Sequence, residues 1–151
     1  ISACLVGSEM CIRDRHWKIR GTRRRFKPNS DKFGFVYVIT NKKNKKAYIG
    51  CKQYFLGKSK LNSKWETYMG SSKALLQDIK KIGKKHFKFE VIAEYKNKRS
   101  LRYYECYFQM KYNVLATTLE GTDEPAFYNS YVGGKWYRPV EHYIDEDQRP
   151  R

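Results

Sequence analysis

The stretch that decides the fold is Gly34–Lys52, GFVYVITNKKNKKAYIGCK. Two β-prone runs, Phe35–Thr40 and Ala47–Lys52, flank a polar, basic turn, Asn41–Lys46. Alternation in the first run puts Phe35, Tyr37 and Ile39 on one face and Val36 and Val38 on the other. Both faces are apolar, so this strand is expected to be central in its sheet or well covered. Each run carries one tyrosine in an apolar setting, Tyr37 and Tyr48, and the second is followed at once by Ile49-Gly50.

Downstream, Gln53–Ser63 reads as a loop and Lys64–Tyr68 as a short helical or turn segment ending near Gly70. Ser71 or Ser72 is placed to N-cap a helix whose apolar face is Leu75, Leu76, Ile79 and Ile82, with Gly83 as its stop. His86–Tyr95 alternates again, with Phe87, Phe89, Val91 and Ala93 on one side and Lys88, Glu90, Ile92 and Glu94 on the other. Being half polar, it is expected nearer a sheet edge. Ser100 is placed to cap a second helix, Leu101 to about Tyr112, striped by Leu101, Tyr104, Phe108 and Tyr112. Phe127-Tyr128-Asn129 is a compact aromatic-polar element, and Gly133-Gly134 a break before a tail with an acidic patch, Asp145-Glu146-Asp147. The order is β-β-α-β-α, an α+β domain with a small three-stranded antiparallel sheet flanked by helices.

Upstream, His16–Phe33 contains Arg23-Arg24-Arg25 and reads as a basic arm or disordered leader. Residues Ser2–Arg15 resemble a translated sequencing-adapter tail and are set aside from fold reasoning. The expected organisation is an N-terminal extension over 1–33, a folded domain over 34–132 and a tail over 133–151.

The chain has 151 residues and a net charge of +17, enough length for one compact domain. Residues 34–115 hold 19 Lys and Arg against 5 Asp and Glu, whereas residues 116–151 hold 4 against 7. A field so concentrated on the folded module favours a polyanion through steering and counterion release. The four cysteines, Cys4, Cys11, Cys51 and Cys106, have no CxxC spacing, and the three histidines do not cluster with them, which argues against zinc and against a disulfide framework. A reducing, cytoplasmic setting follows as the default. No apolar run is long enough to span a membrane.

Glu105 stands out because it lies within the apolar stripe of the second helix. A carboxylate facing the protein body needs a cation, a metal ion or a proton. The alternatives are a structural ion pair with a core-edge lysine and a metal site. A single carboxylate completed by waters and a phosphate oxygen suits Mg2+.

Taken together, these elements resemble the GIY-YIG nuclease family over about residues 34–131. The second signature element is intact as Tyr48-Ile49-Gly50; the first keeps its tyrosine but has Phe35 and Val36 where the family has glycine and isoleucine. Trp65, Tyr68, Gly70, Ser71, Ser72 and Leu75 form a pattern like that of phage free-standing, Seg-like homing endonucleases. The resemblance implies phosphodiester hydrolysis on double-stranded DNA, in the cytoplasm of a bacterium or of a phage-infected host. Tyr37 is implied as general base, Tyr48 as a group that orients water or phosphate, and Glu105 as the ligand of Mg2+ or Mn2+.

The family's helical arginine has no arginine counterpart between Gly50 and Lys98. By position Lys64, before Trp65, takes its place, with Lys73 as competitor; lysine keeps the charge but loses the bidentate fork. Tyr68 matches the family's following histidine or tyrosine, and Asn129 its late asparagine. Backbone-holding lysines are expected at Lys42, Lys43, Lys45, Lys46, Lys52, Lys73, Lys80, Lys81, Lys84 and Lys85. No protein partner is apparent. The rival reading is a catalytically inactive basic nucleic-acid-binding domain.

Overall fold

A computed structural model describes residues 16–57 and 61–133. The expected adapter-like tail (residues 2–15) and nearly all of the C-terminal tail (residues 134–151) lie outside the described residues. The strands are β1 (Trp17–Ile19), β2 (Gly34–Asn41), β3 (Ala47–Gln53), β4 (Phe55–Leu56), β5 (Leu61–Asn62) and β6 (Phe87–Tyr95). Two α-helices follow the same chain order, α1 (Lys73–Ile82) and α2 (Lys98–Lys111). A short 3-10 turn, Trp65–Thr67, precedes α1.

The main sheet has the order β1-β6-β2-β3. β2 is an interior strand, as its two apolar faces require, and runs antiparallel to both β3 and β6, while β1 pairs parallel to β6. The α+β class and the β-β-α-β-α core stand as the sequence indicates, but the sheet is four-stranded and mixed. The added strand corrects the reading of residues 1–33 as an extension outside the domain. Trp17 is 1% exposed and Phe26 is buried, so part of the basic arm belongs to the core. Burying an aromatic side chain of this size contributes about 1.5–3 kcal/mol, enough to hold three residues on a sheet edge despite charged neighbours. With β1 attached, β6 becomes an interior strand rather than an edge.

The alternation expected in β6 holds from Phe87 to Val91 and then inverts. Val36 faces Ala93 while Tyr37 faces Val91, so Ile92 is a one-residue β-bulge. Beyond it Ala93 and Tyr95 pack with α2, and Glu94 turns to the other face, where it accepts hydrogen bonds from the Tyr54 hydroxyl (2.7 Å) and the Asn29 backbone N–H (3.1 Å).

The sheet separates two cores. Phe35, Tyr37, Ile39, Phe87, Phe89 and Val91 face Leu75 and Ile79 of α1, together with Trp17 and Phe26. Val36 and Ile49 face Leu101, Tyr104 and Phe108 of α2. Ser72 caps α1 by accepting from Leu75 N–H (3.3 Å), and Gly83 ends it at φ 109. Leu76 is exposed rather than part of the buried face. The cap of α2 is Asn97, whose Oδ1 accepts from Ser100 N–H (2.8 Å); Ser100 is itself inside the helix and fully buried. Asn and Ser cap helices about equally well, and with Asn97 as the cap the helix starts three residues before the expected Leu101.

Candidate active site

Pairing of β2 with β3 sets Tyr37 directly opposite Gly50. The Tyr37 ring is 1% exposed, wedged against Trp17, Tyr48 and Tyr68. Its hydroxyl lies over the β3 backbone at position 50. A Cβ built on Gly50 would come within 2.6 Å of the Tyr37 hydroxyl and 3.0 Å of the Tyr48 ring, which is why the second signature element ends in glycine. Tyr48 reaches outward on the same strand and shares a hydrogen bond with Ser71 Oγ (3.1 Å), just before α1.

The outer edge of β3 is closed by the segment around Asn129. Ala47 N–H donates to Ala126 O (3.0 Å) and Tyr128 N–H to Ala47 O (2.7 Å). The Asn129 side chain then pairs with Ile49 in both directions, accepting from its N–H (3.0 Å) and donating to its C=O (2.8 Å). Gln109 Nε2 of α2 donates to the same carbonyl (3.0 Å). The amide of Asn129 thus acts as a one-residue strand that fixes the main chain between Tyr48 and Gly50. Tyr128 is held in turn by Asn41 Nδ2 (3.1 Å) and donates to Asp78 of α1 (2.7 Å).

These contacts frame a cleft of about 540 Å³, to which Tyr37, Tyr48, Tyr68, Glu105 and Asn129 all contribute. Five of the six expected site residues therefore meet, although they are spread over 93 positions of the chain. Glu105 is half-buried, and the two cations lining the cleft beside it are Lys73 and Arg102. Lys64 is the correction. It is exposed in a left-handed turn (φ 59) and is not among the residues lining the cleft. The physical reason is local: Trp65 packs on Phe26, Phe35 and Tyr54, and Lys64 N–H is bound by Asn62 Oδ1 (2.7 Å). Those ties leave the lysine side chain on the solvent side. Its competitor Lys73 lines the cleft as the first residue of α1.

Arg102 escaped the sequence reading, yet the signal was present. It lies three residues before Glu105, so the two share a helix face. The Cys51 thiol neighbours both side chains, and burial, followed by the Glu105 carboxylate, pushes its pKa up. Burial also raises the pKa of Tyr37 well above that of a free phenol, with Tyr68, Tyr48, Cys51 and Glu105 adding in the same direction. Tyr48 is raised by burial too, partly offset by its bond to Ser71. Both hydroxyls are therefore neutral near pH 7. Lys52 leans over the Tyr68 ring with Nζ 4.1 Å from the centroid.

Among the expected backbone-holding lysines, Lys43 and Lys45 are exposed on the β2–β3 turn, and Lys80 and Lys81 on the last turn of α1. Lys46 sits over the Tyr128 ring (5.8 Å). Lys42, Lys84 and Lys85 line a different groove. Among the described residues no three His, Cys, Asp or Glu side chains gather as a metal cluster, and no helix is long and apolar enough to cross a membrane.

A paired-tyrosine hairpin, a glycine that admits the first hydroxyl, and a lone helical carboxylate across the same cleft define the GIY-YIG nuclease class. Residues 17–132 match the family described as "Putative endonuclease segE, GIY-YIG domain", and the chain belongs to that family. It is also similar to "Endonuclease segA" of Enterobacteria phage T4, at 30% identity over 120 residues, which cover 80% of this chain. The match spans 48% of that relative, so the chain corresponds to about half its length. No solved structure matches.

Proposed function

We propose that this chain is a metal-dependent DNA endonuclease of the phage homing type, hydrolysing phosphodiester bonds of double-stranded DNA in the cytoplasm of a bacterial host. The observation that carries this reading is the meeting of Tyr37, Tyr48, Tyr68 and Glu105 in one cleft. Glu105 is the sole carboxylate among the residues lining it, a donor set that fits a largely hydrated Mg2+ or Mn2+ and not a caged metal such as zinc. When bound, such an ion supplies Lewis-acid polarisation of the scissile phosphate.

The chain's own groups divide the remaining work. Arg102 and Lys73 offset the negative charge that develops on the phosphate, with the guanidinium supplying the fork that lysine lacks. The Tyr37 hydroxyl orients the attacking water by hydrogen bonding. A full base role would need the phenolate, which burial and its four neighbours disfavour in the free protein. Tyr48, steadied by Ser71, and Tyr68 present hydroxyls to the phosphate oxygens. Asn129 positions Tyr48 and Gly50 by fixing Ile49 between them.

Glu105→Ala tests the assignment. It is expected to abolish nicking of supercoiled plasmid in Mg2+ while leaving DNA affinity in EDTA within about twofold, since one lost carboxylate weakens no phosphate contact. Unchanged nicking would remove the metal assignment, and a parent protein that binds but never cuts would leave only the rival reading of a silent binding domain.

A further inference from the structure

A second concavity lies apart from the cleft. A groove of about 1020 Å³ runs along the outer end of β6, between β1 and its following turn on one side and the 3-10 turn Lys84–His86 on the other. Lys18, Arg23, Lys42, Lys84, Lys85 and Lys88 line it. Its one acidic lining residue, Glu90, is engaged internally: Oε2 accepts from Gly21 N–H (2.9 Å) and Oε1 lies 3.8 Å from Lys88 Nζ. The cations come from five separate segments, and the backbone ties some of them in place. Lys42 N–H donates to His86 O (2.8 Å), and Ile19 N–H donates to Arg24 O (3.0 Å) to close the turn that carries Arg23.

The groove adjoins the cleft. His16 lines the groove, and its Nε2 donates to the carbonyl of Tyr68 (2.8 Å), whose ring lines the cleft. A polyanion engaged at the cleft can therefore continue into the groove. The aromatic rings of the groove floor, Phe87 and Phe89, are 6% and 3% exposed. They offer no platform on which an unpaired base can stack, which is how single strands are held. What remains is a row of charges that suits the phosphates of a duplex.

Resting on the nuclease reading for the neighbouring cleft, we infer that this groove holds the phosphate backbone of duplex DNA to one side of the cleaved bond. The basic β1 turn then serves as a DNA clamp. The contacts are to phosphates, so the groove adds affinity without reading sequence.

The test uses the whole chain, a 30-base-pair duplex and the matching single strand, with binding measured in EDTA over a range of NaCl concentrations. Arg23→Glu with Lys85→Glu alters two exposed groove cations. Lys98→Glu with Lys111→Glu makes the same change in net charge elsewhere. The groove pair is expected to weaken duplex binding by roughly tenfold or more and to lower the salt slope by about two. The control pair is expected to change affinity by less than about threefold, as distant exposed charges are screened. An equal loss in both pairs, or tighter binding of the single strand than of the duplex by the parent, overturns the inference. Binding in EDTA is independent of cleavage, so groove-dependent binding by a parent that never nicks would sink the nuclease reading alone. Nicking by the parent with duplex affinity unmoved by the groove pair would sink the groove alone.

Discussion

A methyl group at position 50 would have to occupy space already held by the Tyr37 hydroxyl, 2.6 Å from where its carbon must go, with the Tyr48 ring at 3.0 Å. Neither ring can yield easily. The Tyr37 ring is packed among Trp17, Tyr48 and Tyr68, and Tyr48 is tied to Ser71. Gly50→Ala is therefore expected to destabilise the fold by about 1–3 kcal/mol, as overpacking does, and to cut nicking by about a hundredfold through displacement of both hydroxyls. Gly34→Ala provides the contrast. Its Cβ would meet Lys52 O at 2.5 Å and Leu101 Cδ2 at 2.8 Å, far from either hydroxyl along the hairpin. It should cost stability with kcat of the folded protein preserved. Urea melts and plasmid nicking on both variants separate the two effects, and equal kcat losses would show that position 50 has no special relation to the site. At this scale the sequence was legible wherever chemistry comes in a local pattern: Tyr37, Tyr48-Ile49-Gly50, Glu105 on an apolar stripe. Lys64 was misplaced because its position depends on where Trp65 finds its pocket, a tertiary fact. Arg102 was hidden by an ordinary exposed-charge context, although its spacing from Glu105 pointed inward.

The elements that carry alternation or capping signals appear where the residues put them: β2, β3, α1, and β6 as far as Val91. Two did not announce themselves. The bulge at Ile92 is set by how β6 meets β2 across the sheet, and nothing in FKFEVIAEY marks an unpaired residue. β1 is three residues long and lies among arginines and lysines, so its composition suggested a solvated arm. Only Trp17 betrays it. Trp17 touches Phe35, Tyr37 and Phe89 and donates from Nε1 to Trp65 O (2.8 Å). Trp17→Ala is expected to destabilise the domain by about 3–5 kcal/mol in urea denaturation, the cost of emptying a large aromatic site. A dispensable arm would show no change in midpoint. Because the indole backs the Tyr37 ring directly, the same variant is expected to lower nicking even at temperatures where it stays folded.

Charge works in opposite directions on the molecule and on its complex with DNA. With 32 Lys and Arg against 15 Asp and Glu, most cations have no acid to pair with, and the folded chain holds them closer together than the unfolded chain does. Screening should relieve that repulsion. Raising NaCl from about 20 mM to about 300 mM shortens the Debye length from roughly 20 Å to roughly 6 Å. Tm is accordingly expected to rise by a few degrees over this range, since about 1 kcal/mol corresponds to roughly 2–8 °C in a domain of this size. The same salt should weaken duplex binding by orders of magnitude, because each neutralised phosphate contributes about 0.9 to the logarithmic slope. Duplex added at low salt should itself raise Tm, by linkage to the folded state that binds it. A Tm that falls with NaCl in the absence of DNA would mean that ion pairs such as Lys88–Glu90 outweigh the repulsion. The excess of positive charge would then be neutral for folding as well as useful for binding. A rising Tm instead identifies the lysine-rich surface as a cost to stability, one that DNA, by supplying the missing negative charge, removes on binding.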